Sequence, residues 1–169
     1  MKILKTLLVF ALAASLCGCG TAGGQDTTQP SGEAQKGEPM EITSFSFTHT
    51  GMSTDECFRY SAEQTEEGVR LYTEELFVNG LIVDTLIDEP ILEQLGEIAG
   101  KYRLDWWDGF DKSNNRVSDG SRFSLSVELA DGSTISARGN NQFPDGYTDA
   151  KGEICALFED MIDRYGNQQ

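Results

Sequence analysis

Between residues 42 and 165 the apolar side chains recur with two periods, and the changes of period divide the chain into elements. Ile42 to His49 sets Phe45, Phe47 and His49 against Ser44, Ser46 and Thr48, the period of two of a strand with one buried face. Cys57 to Ala62 and Val69 to Val78 read as the next two strands, with Glu66-Glu67-Gly68 turning one into the other. Asn79-Gly80, flanked by Phe77-Val78 and Leu81-Ile82, is a strong hairpin signal, because both central positions of such a turn need positive φ. A fourth strand from Leu81 to about Ile87 completes a meander.

The period then lengthens to that of a helix. Asp88 and Pro90 supply a cap and a favourable first-turn residue, Ile91, Leu92, Leu95, Ile98, Ala99 and Tyr102 share a face, and Gly100 lies near the end. After an irregular stretch, Arg122 to Ala130 returns to strict alternation, with Phe123, Leu125, Val127 and Leu129 opposite Ser124, Ser126 and Glu128. Asp131-Gly132 turns this strand into Thr134 to Arg138. Thr148 or Asp149 can cap a last helix, in which Ile154, Leu157, Phe158, Met161, Ile162 and Tyr165 share a side. The order ββββ-α-ββ-α predicts an α+β fold: an antiparallel sheet of about six strands with two helices packed on one face. Residues 40–169 form this single domain, a length typical of one hydrophobic core.

The segment ahead of the domain has a different character. Met1-Lys2-Ile3-Leu4-Lys5 is basic and Thr6 to Leu16 is almost wholly apolar, the layout of a secretion signal. That apolar run is well short of the ~20 residues that cross a bilayer as a helix, and no later segment reaches that length. Two cysteines one residue apart follow it. Leu16-Cys17-Gly18-Cys19 resembles the lipobox of bacterial lipoproteins, with Leu16 three places and Gly18 one place ahead of the modified cysteine. Taking Cys17 as the site would put Leu16 where that family has Gly or Ala. The resemblance implies that residues 1–18 are a signal peptide of the lipoprotein type, removed to leave Cys19 diacylated. Ordinary secretion shares the same charged and apolar regions and stays open as the alternative. If Cys19 is the modified residue, the partner is the cell membrane, reached from outside the cytoplasm through acyl chains; two chains hold stably where one holds weakly.

Residues 19–39 then read as the lipidated cysteine and a flexible linker, since Gly20 to Pro39 has scarcely any apolar side chain to offset the entropy of ordering. A coil of ~20 residues spans about 25 Å. The chain carries 28 Asp and Glu against 13 Lys and Arg, a net charge of −15 that becomes −17 once Lys2 and Lys5 leave with the signal. Such a surface argues against nucleic acid as a partner.

Candidate chemistry is sparse. The one histidine, His49, shares a face with Phe45 and Phe47 and reads as a core or edge residue rather than a general base. No Gly-x-Ser-x-Gly elbow, His-Glu-x-x-His helix or phosphate-cradling glycine loop is present, so no catalytic residue and no cofactor is expected. Cys57, Cys155 and His49 match no zinc spacing. The Asp108 to Asn115 loop departs from the calcium-loop pattern, because the sixth and twelfth positions counted from Asp111 are Arg116 and Arg122. No metal is expected. Cys57 and Cys155 are an even pair outside the cytoplasm, either disulfide-bonded or two small buried hydrophobes.

What remains is aromatic. Asp105-Trp106-Trp107-Asp108-Gly109-Phe110 and Asn140-Asn141-Gln142-Phe143-Pro144-Asp145-Gly146-Tyr147 set ring faces among amides and carboxylates, the surfaces on which sugars and peptides stack. Trp106, Trp107, Phe110, Asn140, Asn141 and Tyr147 are therefore the candidate ligand-binding residues, with end-of-core packing the competing explanation. Together with Ser118 to Leu125, these segments resemble a pattern in small lipoproteins of Gram-positive, gut-type bacteria, a resemblance that covers about a third of the domain and implies habitat and architecture but no activity. The expected function is a membrane-anchored extracytoplasmic binding or interaction module for a glycan or peptide. A hydrolase using carboxylates such as Asp105, Asp108 and Asp119 is the alternative.

Overall fold

The computed structural model describes residues 37–53, 57–76, 80, 82–114, 116 and 120–166. The signal segment, the Leu16 to Cys19 motif, the first part of the linker, Asn79 and Asp119 lie outside the described residues. The fold is α+β: β1 (Ile42–Thr50), β2 (Phe58–Thr65), β3 (Gly68–Glu75), β4 (Ile82–Ile87), α1 (Ile91–Lys101), a 3-10 turn (Leu104–Trp107), β5 (Asp111–Ser113), β6 (Arg122–Leu129), β7 (Thr134–Asn140) and α2 (Tyr147–Tyr165).

The predicted meander forms, with β1 to β4 paired antiparallel in sequence order. The sheet, however, has seven strands rather than about six, in the order β4-β3-β2-β1-β6-β7-β5, and it is mixed rather than purely antiparallel, because β5 runs parallel to β7. β5 escapes the alternation test for a simple reason: it is three residues long and every one is exposed. Its backbone is nonetheless anchored to β7 at both ends, since Arg138 N–H donates to Phe110 O at 2.8 Å and Asn114 N–H to Asn140 O at 2.8 Å.

One face of the sheet is buried. Phe45, Phe47, Tyr60, Leu71, Val83, Leu125, Val127 and Ala137 point to it, and the helices add Ile91, Leu95, Ala99, Ile154, Phe158 and Met161. Ile42 is buried although it stands three residues from Phe45, against strict alternation; a register shift between Ile42 and Ser44 admits the extra residue and restores the parity. The opposite face is open and lined mainly by Ser, Thr, Arg, Asp and Glu, with Tyr72, Ile82 and Leu86 among them on β3 and β4. Both expected helix caps differ. α1 starts after Pro90 and α2 after Gly146 in a left-handed conformation, neither with a side-chain cap bond, and Thr148 and Asp149 lie inside the first turn of α2.

Packing begins before residue 40. Gly37 N–H donates to Gly100 O at 2.9 Å and Met40 N–H to Gly96 O at 3.1 Å, so the incoming chain lies directly along α1. The approach requires glycine on the helix: a Cβ on Gly96 would overlap the Met40 carbonyl oxygen and one on Gly100 that of Glu38. This sets up a reversal of sign. By helix propensity alone, Gly→Ala is favourable by about 1 kcal/mol; Gly152→Ala, on α2 with open space around it, should follow that rule. Gly100→Ala should instead destabilise by about 1–3 kcal/mol, as overpacking does. Urea midpoints of the two variants, at unchanged slope, check the contrast.

Candidate functional site

The two aromatic loops do converge. α1 is capped by Tyr102, and Arg103 follows with φ 53° and ψ 53°, a left-handed conformation costing about 1–2 kcal/mol for a side chain other than glycine. That turn throws the chain into the Leu104–Trp107 3-10 segment, so that consecutive tryptophans point opposite ways. Trp107 is 3% exposed, with its indole N–H donating to Asp145 O at 3.2 Å; Trp106 is 70% exposed. Each tryptophan thus answers differently the question of core packing against surface site.

Trp106 is held in place although it is exposed. The Arg103 guanidinium lies over its ring at 4.1 Å from the centroid, and the same group is bound through two nitrogens to Asp105, at 2.9 and 2.7 Å. This interaction with Arg103 keeps the Asp105 carboxyl below the ordinary carboxylate range, the direction opposite to that of a general acid. Asp108 accepts the Ser136 amide at 2.9 Å. These two carboxylates are therefore used in shaping the loop.

The cleft beneath Trp106 has a volume of about 340 Å³ and is walled by Tyr102, Arg103, Trp107, Phe110, Phe143 and Pro144, with Lys112 and Asp145 at its polar margin. Its floor rests on Tyr147. That ring is buried, at 4.6 Å from Phe143, 4.6 Å from Phe123 and 5.8 Å from Trp107, and its hydroxyl meets His49 Nδ1 at 2.7 Å. Burial, then the nearby Lys151 charge, pushes His49 down to about 4, and burial raises Tyr147. The pair is neutral at physiological pH and serves as a buried support, in keeping with the core reading of His49.

Of the six candidate residues, Trp106, Trp107 and Phe110 line the cleft, and Tyr147 supports it from below. Asn140 does not take part: it ends β7 facing the open side of the sheet, where it lines a separate trough. Asn141 takes φ 54° as the chain turns away, and its side-chain amide donates to Asn114 O at 3.5 Å. Tyr102, Arg103 and Lys112 were not among the candidates. Tyr102 satisfied the helical face pattern, and nothing local marks Arg103 as left-handed.

Cys57 and Cys155 are both free thiols. Cys57 Sγ sits in the turn after β1, 3.3 Å from Gly51 N and 3.4 Å from Ser53 O. Cys155 is half-buried on α2, and burial pushes its thiol up to about 11, which keeps it protonated. In the Asp108 to Asn115 loop, Asp111 is paired with Arg138, and Asn114 Oδ1 accepts the Arg116 amide. Among the described residues no group of three or more His, Cys, Asp or Glu side chains is placed to hold a metal, and no helix is long and apolar enough to cross a membrane. No family model matches the chain, and no curated protein matches it.

Proposed function

We propose that this chain is a lipid-anchored extracytoplasmic binding module whose aromatic cleft takes a saccharide. The observation that carries the reading is Trp106: a large ring, 70% exposed, fixed by Arg103 at the mouth of a 340 Å³ cleft. An exposed indole that is held rigid loses little entropy when a flat ligand stacks on it, and sugar rings offer the apolar C–H face that such stacking uses. Lys112 and Asp145 at the margin supply a donor and an acceptor for ring hydroxyls.

The Leu16 to Cys19 motif supports the anchor, through acyl chains on Cys19. The acidic composition keeps nucleic acid out of the reading, and no catalytic step is assigned to the cleft, where Asp105 is engaged by Arg103.

A glycan array probed with the full chain, followed by calorimetry on the best neutral ligand, tests the cleft. Trp106→Ala should weaken binding about tenfold, ~1.4 kcal/mol, with circular dichroism unchanged because the ring is outside the core. Affinity retained in that variant would remove the saccharide reading. Cys19→Ala should move the protein from the membrane to the soluble fraction, and intact mass of the native protein should show the added acyl chains.

A further inference from the structure

The open face of the sheet carries a second concavity, of about 540 Å³. Strand register builds it from two adjacent rows. Thr48, Ser124, Arg138 and Asp111 lie side by side across β1, β6, β7 and β5, and Thr50, Arg122, Asn140 and Ser113 form the next row. Arg122 and Arg138 are therefore diagonal neighbours on one face, within reach of a common group.

Charge pairing singles this spot out. Four arginines stand on the open face of the strands. Arg59 is paired with Glu74, Arg70 with Asp84 and Arg138 with Asp111, each on a neighbouring strand. Arg122 makes no ion pair with a described residue, and what surrounds it is Thr50, Ser124 and Asn140. Lys112 has the opposite parity to Asp111 and Ser113 on β5 and its ammonium lies over the Phe110 ring on the cleft side, so the unpaired charge at the trough is that of Arg122. In a chain with 28 acids and 13 bases, this is a local surplus of positive charge, ringed by hydroxyl and amide groups.

We infer that the trough is an oxyanion site, binding a carboxylate or phosphate group between Arg122 and Arg138. A guanidinium presents paired N–H donors that match the two oxygens of a carboxylate or phosphate, and Thr48, Thr50 and Ser124 can donate to the oxygens that remain. Asp111 holds Arg138 upright at the rim and leaves Arg122 as the principal contact. The trough and the aromatic cleft share only Lys112, so the inference stands apart from the saccharide reading.

The test is calorimetric titration of the full chain with sodium glucuronate, inorganic phosphate and glucose, with amide chemical shifts of Ser124 and Gly139 as the positional readout. Glucuronate or phosphate should bind and shift those two amides, glucose should leave them unshifted, and raising the salt concentration should weaken the anion effect at so exposed a place. Tighter binding of glucuronate would identify an acidic sugar as the source of the oxyanion, and tighter binding of phosphate a phosphoryl group. Arg122→Ala should lose tenfold or more and Arg122→Lys less, while Arg70→Ala, remote on β3, should stay within twofold. Binding of neither anion, an equal shift of the Ser124 and Gly139 amides by glucose, or full affinity in Arg122→Ala overturns the site. Neutral saccharides report on the aromatic cleft alone, so either reading can fail without the other.

Discussion

Phe158→Ala is expected to lower the free energy of unfolding by about 3–5 kcal/mol, the range for removing a fully buried aromatic ring. Phe158 projects from α2 into the centre of the buried face, wholly inaccessible, with its ring 4.6 Å from Tyr60 at an interplanar angle of 8° and 6.3 Å from Phe45. The loss has two parts: apolar area no longer withdrawn from water, and a cavity that the surrounding strands cannot close because β1 and β2 are locked by their ladder. The Tyr60 ring continues the stack to Phe58 at 4.3 Å, Phe58 meets His49 at 5.7 Å, and His49 meets Tyr147 under the cleft. Chemical denaturation followed by tryptophan fluorescence would show the midpoint falling at unchanged slope. A loss under 1 kcal/mol would mean that α2 is not clamped to the sheet as described. Phe143→Ala offers the comparison: its ring is 39% exposed and should cost much less.

Acid should destabilise the protein through His49 by about 3 kcal/mol. The imidazole is held at about 4 in the folded chain, first by burial and then by the charge of Lys151, against an ordinary value of 6.5. As pH falls below 6.5 the unfolded chain takes up a proton that the folded chain refuses, so the unfolded state gains. Stability from this group is complete above 6.5, declines between 6.5 and about 4, and changes no further below that, where both states are protonated. A shift of this size corresponds to roughly 3 kcal/mol at about 1.4 kcal/mol for each pH unit. Carboxylates titrate in the lower part of the window as well, so the informative quantity is the difference between wild type and His49→Phe. The variant should lose stability at neutral pH, because the buried Tyr147 hydroxyl is left without its 2.7 Å partner, and should be flatter between pH 6.5 and 5. Parallel pH profiles would contradict the burial of an uncharged imidazole.

These two positions also show how far a one-dimensional pattern reaches. Phe158 was legible as core from the helical period, and His49 from its place in line with Phe45 and Phe47. The reason is that burial on one side of a strand or helix imprints a period on the chain. The meander was legible for a related reason: its links carry turns with marked residues, of which Gly68 and Gly80, both at positive φ, are described.

The cleft was legible only as composition. Two aromatic loops stood out, but whether Trp106 or Trp107 faced water depended on the backbone of Arg103, whose left-handed conformation is stabilised by the pair with Asp105 and by the Trp106 ring. Asn140 illustrates the parity rule acting at a distance: once β7 extends past Arg138, alternation from Ile135 and Ala137 turns Gly139 inward and Asn140 out to the open face.

From its amino acids alone this protein has its class, an α+β body with one apolar sheet face covered by two amphipathic helices, because amphipathic period is a local property of consecutive residues. Tertiary structure decided the rest: that β1 sits at the centre of seven strands with β6 beside it, that exposed β5 pairs parallel to β7, that Gly96 and Gly100 admit the entering chain, and that Arg122, diagonal to Arg138, makes no ion pair with a described residue. Each of these depends on groups far apart in the chain being brought together, and a pattern read along neighbours carries no record of which distant strand will lie alongside.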